Sequence, residues 1–556
     1  MVEKIKVICE NTESQVEVAM GTSLLDICTQ LGIKGKYPIL AAYVNNRIKE
    51  LWYKIYTPVT IRFVDITHFV GYRVYQRTVS FIAHKAVRTL YPGRNFYIRH
   101  SLADGFYCEI EGESEFSQAD CDKITAAMRQ VVEADLTITR TRELTSDVLR
   151  IYEQAGYADK AELLTTRPRL YSNICRMDDM VGYFYGALAP SSGYADKFAI
   201  VPYYNGFYLA LPQRSNPDNI QTEFNRDKMF DVFHEYQEWV RIMGVPTVGS
   251  LNKKILAGDA GEMIKLAEAF HERKLSQIAD AIYEANATRG VRLALISGPS
   301  SSGKTTTAKR LGVHLHLLGL NPVLISLDDY FVEREQTPRD ENGEYDYEAL
   351  EAIDLAQLND HLRRLAAGES VEIPRYDFIT GKRQWHENPL QLDERSVLIM
   401  EGIHALNPNL TPSVPEDAKF KIYISCFTSV AMDNLSRIST SDNRMLRRIT
   451  RDYATRGNNA LATLSRWGSV RRGEEKHIFP YQENADVMFN TSLFYEISVI
   501  RPFVEPILRE VPDTVPEYAE AVRMLKFLDN FAIIKPDEIP PTSILREFIG
   551  GSSFKY

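Results

Sequence analysis

The chain has 556 residues, 44% of them hydrophobic and 25% charged, the composition of a globular protein of roughly three to four domains. A formal net charge of −9 argues against broad attraction to nucleic acid or anionic membranes. Six cysteines lie scattered with no C-x-x-C pair, and no apolar run approaches the roughly 18 residues of a membrane span. With no signal peptide in MVEKIKVICENTE, the expectation is a reduced, cytoplasmic protein with no membrane partner.

Residues 1–66 read as a small β-rich domain. Ile5, Val7 and Cys9 alternate, as do Val16 and Val18. Gly21-Thr22-Ser23 then caps a helix over Leu24–Leu31, and strands follow at Ile39–Val44 and Val59–Val64. With GTSLLDIC as its motif, this β-β-α-β order resembles the TGS β-grasp module of threonyl-tRNA synthetases. Residues 67–215 continue the resemblance. Ser80-Phe81-Ile82-Ala83-His84 with Leu90-Tyr91-Pro92-Gly93, and later Asp104-Gly105-Phe106-Tyr107-Cys108, are similar to the synthetase's second, editing-type α+β domain. That domain carries H-x-x-x-H and C-x-x-x-H pairs suited to Zn²⁺. Here they read Ser80…His84 and Cys175…Asp179, so two histidines are replaced and no zinc site is expected.

Residues 216–290 read as a helical connector. Ile264, Ala267, Leu275, Ile278 and Ile282 predict an amphipathic helix over Glu262–Asn286, stopped by Gly290. Residues 291–510 hold the strongest motif. Gly298-Pro299-Ser300-Ser301-Ser302-Gly303-Lys304-Thr305 fits G-x-x-x-x-G-K-[ST], between a strand at Leu293–Ile296 and a helix at Thr305–Leu318. Such a loop wraps its N–H groups around a polyphosphate. Thr306 extends the nucleotide-binding set, Lys304 would reach the outer phosphates, and the Thr305 hydroxyl would bind Mg²⁺. The expected cofactors are therefore ATP, or another nucleoside triphosphate, and Mg²⁺.

A strand at Val323–Leu327 ends in Asp328-Asp329, and another at Ser396–Met400 ends in Glu401. Acids at the carboxyl ends of parallel strands can hold a divalent cation or take a proton from a hydroxyl. Downstream, Arg444, Arg447, Arg448, Arg451 and Arg456 cluster. Positions 444, 448 and 451 share a helical face and could converge on one anion from a mobile segment; the alternative is a solvated basic helix paired with Asp442 and Asp452. Residues 511–556 form a proline-punctuated tail with a helix at Tyr518–Leu528.

In order, GPSSSGKT, SLDDYF, YDYEALEAID, PRYDF, MEG and RRITRDYATRG resemble the uridine kinase and phosphoribulokinase family, with a P-loop fold of mostly parallel sheet flanked by helices. The resemblance assigns Asp328 as the general base for a nucleoside 5′-hydroxyl, Asp346 to ribose hydroxyls and Tyr376 to the base. It makes Glu401 a Mg²⁺-associated carboxylate, Arg448 a sugar-side arginine, and Arg451 and Arg456 phosphate-side arginines. Two positions depart: Gly381 stands where relatives often have a base-reading histidine, and Asn458 where the lid continues with arginine. Three functions compete: an ATP-dependent kinase of a nucleoside or another small alcohol, a nucleotide-gated regulatory or RNA-associated protein, and an editing hydrolase. Asp328, Glu401 and the arginines favour the kinase, since a switch needs no general base. Self-association is left open.

Overall fold

The computed structural model describes residues 3–340, 343–377 and 380–555; Phe378 of the PRYDF motif lies outside them. The chain is a mixed α+β and α/β protein, as the sequence implies. The first sheet has five strands in the order Ser14–Ala19, Lys4–Cys9, Val59–Val64, Ala41–Val44, Arg47–Lys49. Its first and last long strands, Lys4–Cys9 and Val59–Val64, run parallel. The helix Leu24–Gln30 packs on it, capped by Ser23, whose hydroxyl accepts from the Asp26 amide.

A 22-residue helix, Phe69–Leu90, leads into a four-stranded antiparallel sheet built from 96–102, 105–110, 199–203 and 206–210, and a three-stranded sheet from 138–144, 171–177 and 180–182. Among the positions of the synthetase-type zinc pattern, His84 and Cys175 are buried, Ser80 donates to the Gln76 carbonyl at 2.8 Å, and Asp179 pairs with Lys85 at 2.5 Å.

The kinase-like half is a five-stranded parallel sheet in the order Asn321–Ser326, Ser396–Glu401, Leu293–Ser297, Lys419–Ser425, Val487–Asn490. Strands buried on both faces read as continuous apolar runs, which is why Leu293–Ser297 and Ser396–Glu401 are apolar and buried along their whole length. Helices Lys304–Leu317 and Ala260–Arg289 cover one face, and Gly290 ends the latter with φ +69°. No helix among the described residues is long and apolar enough to cross a membrane.

The stretch read as a helical connector packs into the core on both sides. It holds three helices, Asp227–Ile242, Val248–Ala257 and Ala260–Arg289. One core joins Tyr152 and Ile174 to Val240 and Leu251, then to Leu446 and Ile449, then to Phe527 and Leu545. Synthetase-like half, connector, kinase-like half and tail thus bury apolar surface against one another.

The arginine-rich segment is a 17-residue helix, Thr440–Arg456, packed into that core rather than a mobile loop. Arg444 is 1% exposed and turns inward to Glu474, itself 0% exposed, with Nη2 2.6 Å from Oε2. Arg447 is also buried and pairs with Glu496 and the Thr491 carbonyl. Of positions 444, 448 and 451, the first is thus already paired with a carboxylate 30 residues downstream, although its Nη1 also lies 3.5 Å from the Ser300 carbonyl. Replacing Glu474 with Ala leaves a buried guanidinium unpaired, a loss of about 3–5 kcal/mol. The expected outcome is a markedly lower urea midpoint, while Glu475→Ala on the exposed side of the same turn leaves the midpoint nearly unchanged.

Candidate active site

The phosphate loop leaves the strand Leu293–Ser297 and enters the helix Lys304–Leu317. Its backbone needs glycine at two places. A Cβ on Gly298 would fall 2.2 Å from the Ile424 carbonyl oxygen of the neighbouring strand. Gly303 has φ +88°, and a Cβ there would fall 2.6 Å from Ile544 of the tail. Lys304 is not on the loop, as expected, but is the first residue of the helix and is half-buried. Its Nζ folds back to the carbonyls of Gly298 at 3.0 Å and Pro299 at 3.2 Å. Ser301 and Ser302 are buried with hydroxyls that have no partner among the described residues.

The neighbouring strand Ser396–Glu401, and the strand Asn321–Ser326 beyond it, supply acids. Thr305 Oγ1 donates to Glu401 Oε1 at 2.9 Å. Burial pushes the Glu401 carboxyl up to about 7; Lys304 opposes the rise and the Asp328 charge adds to it. Asp328 and Asp329 sit on the short turn Leu327–Tyr330 that caps the strand Asn321–Ser326, with Ser326 Oγ accepting from the Asp328 amide at 3.3 Å. They face differently. Asp329 Oδ1 accepts from the Tyr376 amide at 3.3 Å, which ties it to the neighbouring hairpin, whereas the Asp328 charge acts on Glu401, Glu348 and Arg456.

A hydroxyl and two carboxylates around Lys304 form an all-oxygen donor set suited to Mg²⁺, which takes few protein ligands and completes its shell with water and phosphate.

Arg448 reaches the loop, with Nη1 3.0 Å from Ser300 Oγ. Arg448, Arg451 and Arg456 all gather on Asp452, at 3.3, 2.8 and 3.7 Å. One buried carboxylate thus holds three guanidinium groups at the mouth of the loop. Asp442, the other acid of the expected solvated helix, is buried and pairs with Arg73 and Arg523 from outside the helix.

On the far side, Tyr376 is buried in the core with Phe331, ring centroids 5.6 Å apart, and Phe331 also meets Tyr347 at 6.3 Å. Asp346 precedes that tyrosine; its amide donates to the Pro338 carbonyl at 2.7 Å and its Oδ1 accepts from the Glu348 amide at 3.1 Å. Gly381 has φ +72°, and a Cβ there would lie 2.7–2.9 Å from atoms of the Arg334 side chain. A histidine at 381 would meet both a strained backbone and an arginine already in its place.

The sequence reading missed the tail. Beyond the Tyr518–Leu528 helix, Ile544 and Phe548 are buried, and Phe548 lies under the Arg447 guanidinium at 4.9 Å. Between them, Glu547 Oε2 accepts from Thr306 Oγ1 at 2.5 Å, and its Oε1 is 4.0 Å from Arg451. A carboxylate from the end of the chain thus touches the phosphate-loop helix. The only local signal was the apolar spacing Ile544, Leu545, Phe548.

Residues 294–497 match the model of the Phosphoribulokinase / Uridine kinase family. Over 194 residues the chain is 27% identical to a uridine kinase of Halobacterium salinarum, covering 35% of this chain and 77% of that protein. A uridine kinase of Staphylococcus epidermidis is 29% identical over 35% of this chain and 84% of its own length. A solved possible uridine kinase from Bacillus stearothermophilus is 22% identical, covering 36% of this chain and 89% of its own, with a TM-score of 0.25. A threonine–tRNA ligase of Clostridium kluyveri is 22% identical over 240 residues, which are 43% of this chain and 37% of the ligase, so the chain spans little more than a third of that relative. Residues 294–497 are therefore similar to the phosphoribulokinase and uridine kinase family, and a further 240 residues of the chain to threonine–tRNA ligase.

Proposed function

We propose that the chain transfers a phosphoryl group from ATP to the 5′-hydroxyl of a nucleoside. The observation that carries this reading is the convergence of Thr305, Glu401 and Asp328 at the carboxyl ends of three adjacent parallel strands, beside Lys304 and the arginines on Asp452. A nucleotide-gated switch would use the loop but has no need of Asp328.

In this reading the loop amides, Lys304 and Thr306 hold the triphosphate, while Asp346, Tyr376 and Arg448 hold the nucleoside. Asp328 accepts the hydroxyl proton as the oxygen attacks. Arg451 and Arg456 neutralise charge on the oxygens in transfer, for which a planar guanidinium is suited. Mg²⁺, held through Thr305, Glu401 and Asp328, would supply charge neutralisation on the phosphates. The Arg334 side chain beside Gly381, together with Asn458 in place of an arginine, supports a base preference different from that of uridine-cytidine kinases. A soluble, cytoplasmic setting and a role in nucleoside salvage fit the same reading.

Four outcomes are expected. Lys304→Ala lowers kcat/KM at least about a hundredfold, the scale of one lost phosphate-stabilising group, with an unchanged melting temperature; near-normal turnover would remove the kinase reading. Asp328→Asn lowers kcat by about two to four orders of magnitude with little change in ATP affinity, and Asp329→Asn acts mainly on stability; the reverse pattern would transfer the base role to Asp329. Steady-state kinetics across uridine, cytidine, thymidine, adenosine, guanosine and inosine should give turnover with a modest spread between bases; no turnover on any of them would move the substrate to another small alcohol.

The fourth concerns Glu547. Its carboxylate lies where triphosphate charge would gather. Glu547→Gln should lower the KM for ATP about threefold to tenfold, the effect of roughly 1 kcal/mol of relieved repulsion. A raised KM would mean that Glu547 supports the loop instead of opposing the nucleotide.

A further inference from the structure

Between the Phe69–Leu90 helix and the start of the Thr440–Arg456 helix lies a cavity of about 140 Å³. Its wall carries four arginines, Arg73, Arg77, Arg437 and Arg523, and one carboxylate, Asp442. Ser80, at a position of the synthetase-type zinc pattern, is also part of the wall.

Two of the four arginines are already neutralised. Arg523 grips Asp442 through both guanidinium nitrogens, at 2.7 and 2.8 Å, and Arg73 and Arg523 share Glu520 at 3.0 and 2.7 Å. Burial pushes the Glu520 carboxyl up, yet Arg523 and Arg73 hold it down at about 2. Two positive and two negative groups close on themselves.

Arg77 and Arg437 are left over. Among the described residues neither has a carboxylate within ion-pair distance. Arg77 Nε donates to the Ala187 carbonyl at 2.9 Å, and its guanidinium lies against Gly186, where a Cβ would fall 2.5 Å from Cζ. Arg437 lies over the Phe106 ring at 5.2 Å, and its Nε is buried without a partner. Burial pulls the Arg77 guanidinium down, to about 9, and lowers Arg437 as well. Both side chains are half-buried, the Asp442 charge reaches Arg437 only from outside ion-pair distance, and a guanidinium does not shed its proton to relieve the desolvation that remains. What would relieve it is an anion.

The same wall offers donors. Ser439 is the N-cap of the Thr440–Arg456 helix, yet its side chain makes no capping bond, so its hydroxyl is not spent on the helix. A 17-residue helix begins there, and its N-terminal end favours negative charge. The cavity has charged groups beside the apolar Ile98, Phe106, Phe184 and Leu435, and it is large enough for one phosphate group with bridging water.

We propose that this cavity is a second anion site, distinct from the phosphate loop, in which Arg77 and Arg437 bind the phosphate group of a small molecule. The forked geometry of two guanidinium groups suits phosphate oxygens. The site lies at the seam of the two halves, on the helix that carries Arg448, Arg451 and Arg456 two to four turns further on.

The test uses the full chain carrying Lys304→Ala, which weakens the phosphate loop as a competing anion site. Inorganic phosphate and ribose 5-phosphate are titrated separately by calorimetry. Saturable binding is expected for at least one of them, and the tighter probe tells free phosphate from a phosphorylated metabolite. Arg77→Gln and Arg437→Gln should each weaken that binding about tenfold or more, as truncation of a buried charge contact does. Binding unchanged in both variants, or absent with both probes, would overturn the proposal. If either variant fails to fold, the chain with both arginines intact is labelled with phenylglyoxal and mapped by peptide mass. Phosphate should slow labelling of Arg437, and equal labelling with and without phosphate would overturn the proposal. Because the readout is binding, it stands or falls apart from any nucleoside kinase activity.

Discussion

The ion pairs that bury the first half of the Thr440–Arg456 helix are the constraint on which the rest of the structure depends. Asp442, Arg444 and Arg447 are all 2% exposed or less. Charges in such a place cost several kcal/mol each unless paired and hydrogen-bonded. Each finds its partner in a different element: Arg523 in the tail, Glu474 in the Ala460–His477 helix, and Glu496 at the start of the Glu496–Arg509 helix. Remove any of these and a charge is stranded in the core. The helix is thus fixed in rotation by its own chemistry; Arg444 and Arg447 touch the phosphate loop only through its carbonyls, at 3.4–3.5 Å, with their charge spent on Glu474 and Glu496.

That arrangement divides one run of basic residues into two tasks. Arg444 and Arg447 hold the structure. Arg448, which follows Arg447 directly, gathers with Arg451 and Arg456 on Asp452 at the loop. The fixing contacts also cross the fusion point. Arg73 of the synthetase-like half reaches Asp442, and the apolar core runs without a break from Tyr152 through Leu446 to Phe527. The synthetase-like half is therefore part of what positions the arginine helix.

Much of the site was legible because its signals are local. A glycine-rich loop between an apolar strand and a helix, and strands that end in Asp328 and Glu401, can be read within a dozen residues each, and the parallel sheet brings those ends together. The arginines were less legible. Helical spacing puts 444, 448 and 451 on one face, but spacing says nothing of Glu474, which sits 30 residues on and pairs with Arg444. The tail's helix at Tyr518–Leu528 was legible, but the contact made by the tail's last turn was not: Glu547 meets Thr306 across 241 residues, and the apolar spacing around Glu547 does not say what it meets. Gly381 was read as the loss of a histidine, whereas its left-handed backbone and the Arg334 side chain beside it explain why no larger residue stands there. The connector's amphipathic helix was legible, but such a helix shows that it has a partner and not which one.

If the arginine helix joins the two halves, its anchored part and the Phe69–Leu90 helix should open together. Native-state hydrogen exchange at increasing denaturant measures this directly. Amides in the buried stretch 444–450 and in the buried stretch 78–87 are predicted to merge into one high-energy unfolding isotherm. Exchange of 444–450 through a separate low-energy opening, with 78–87 still protected, would contradict the account.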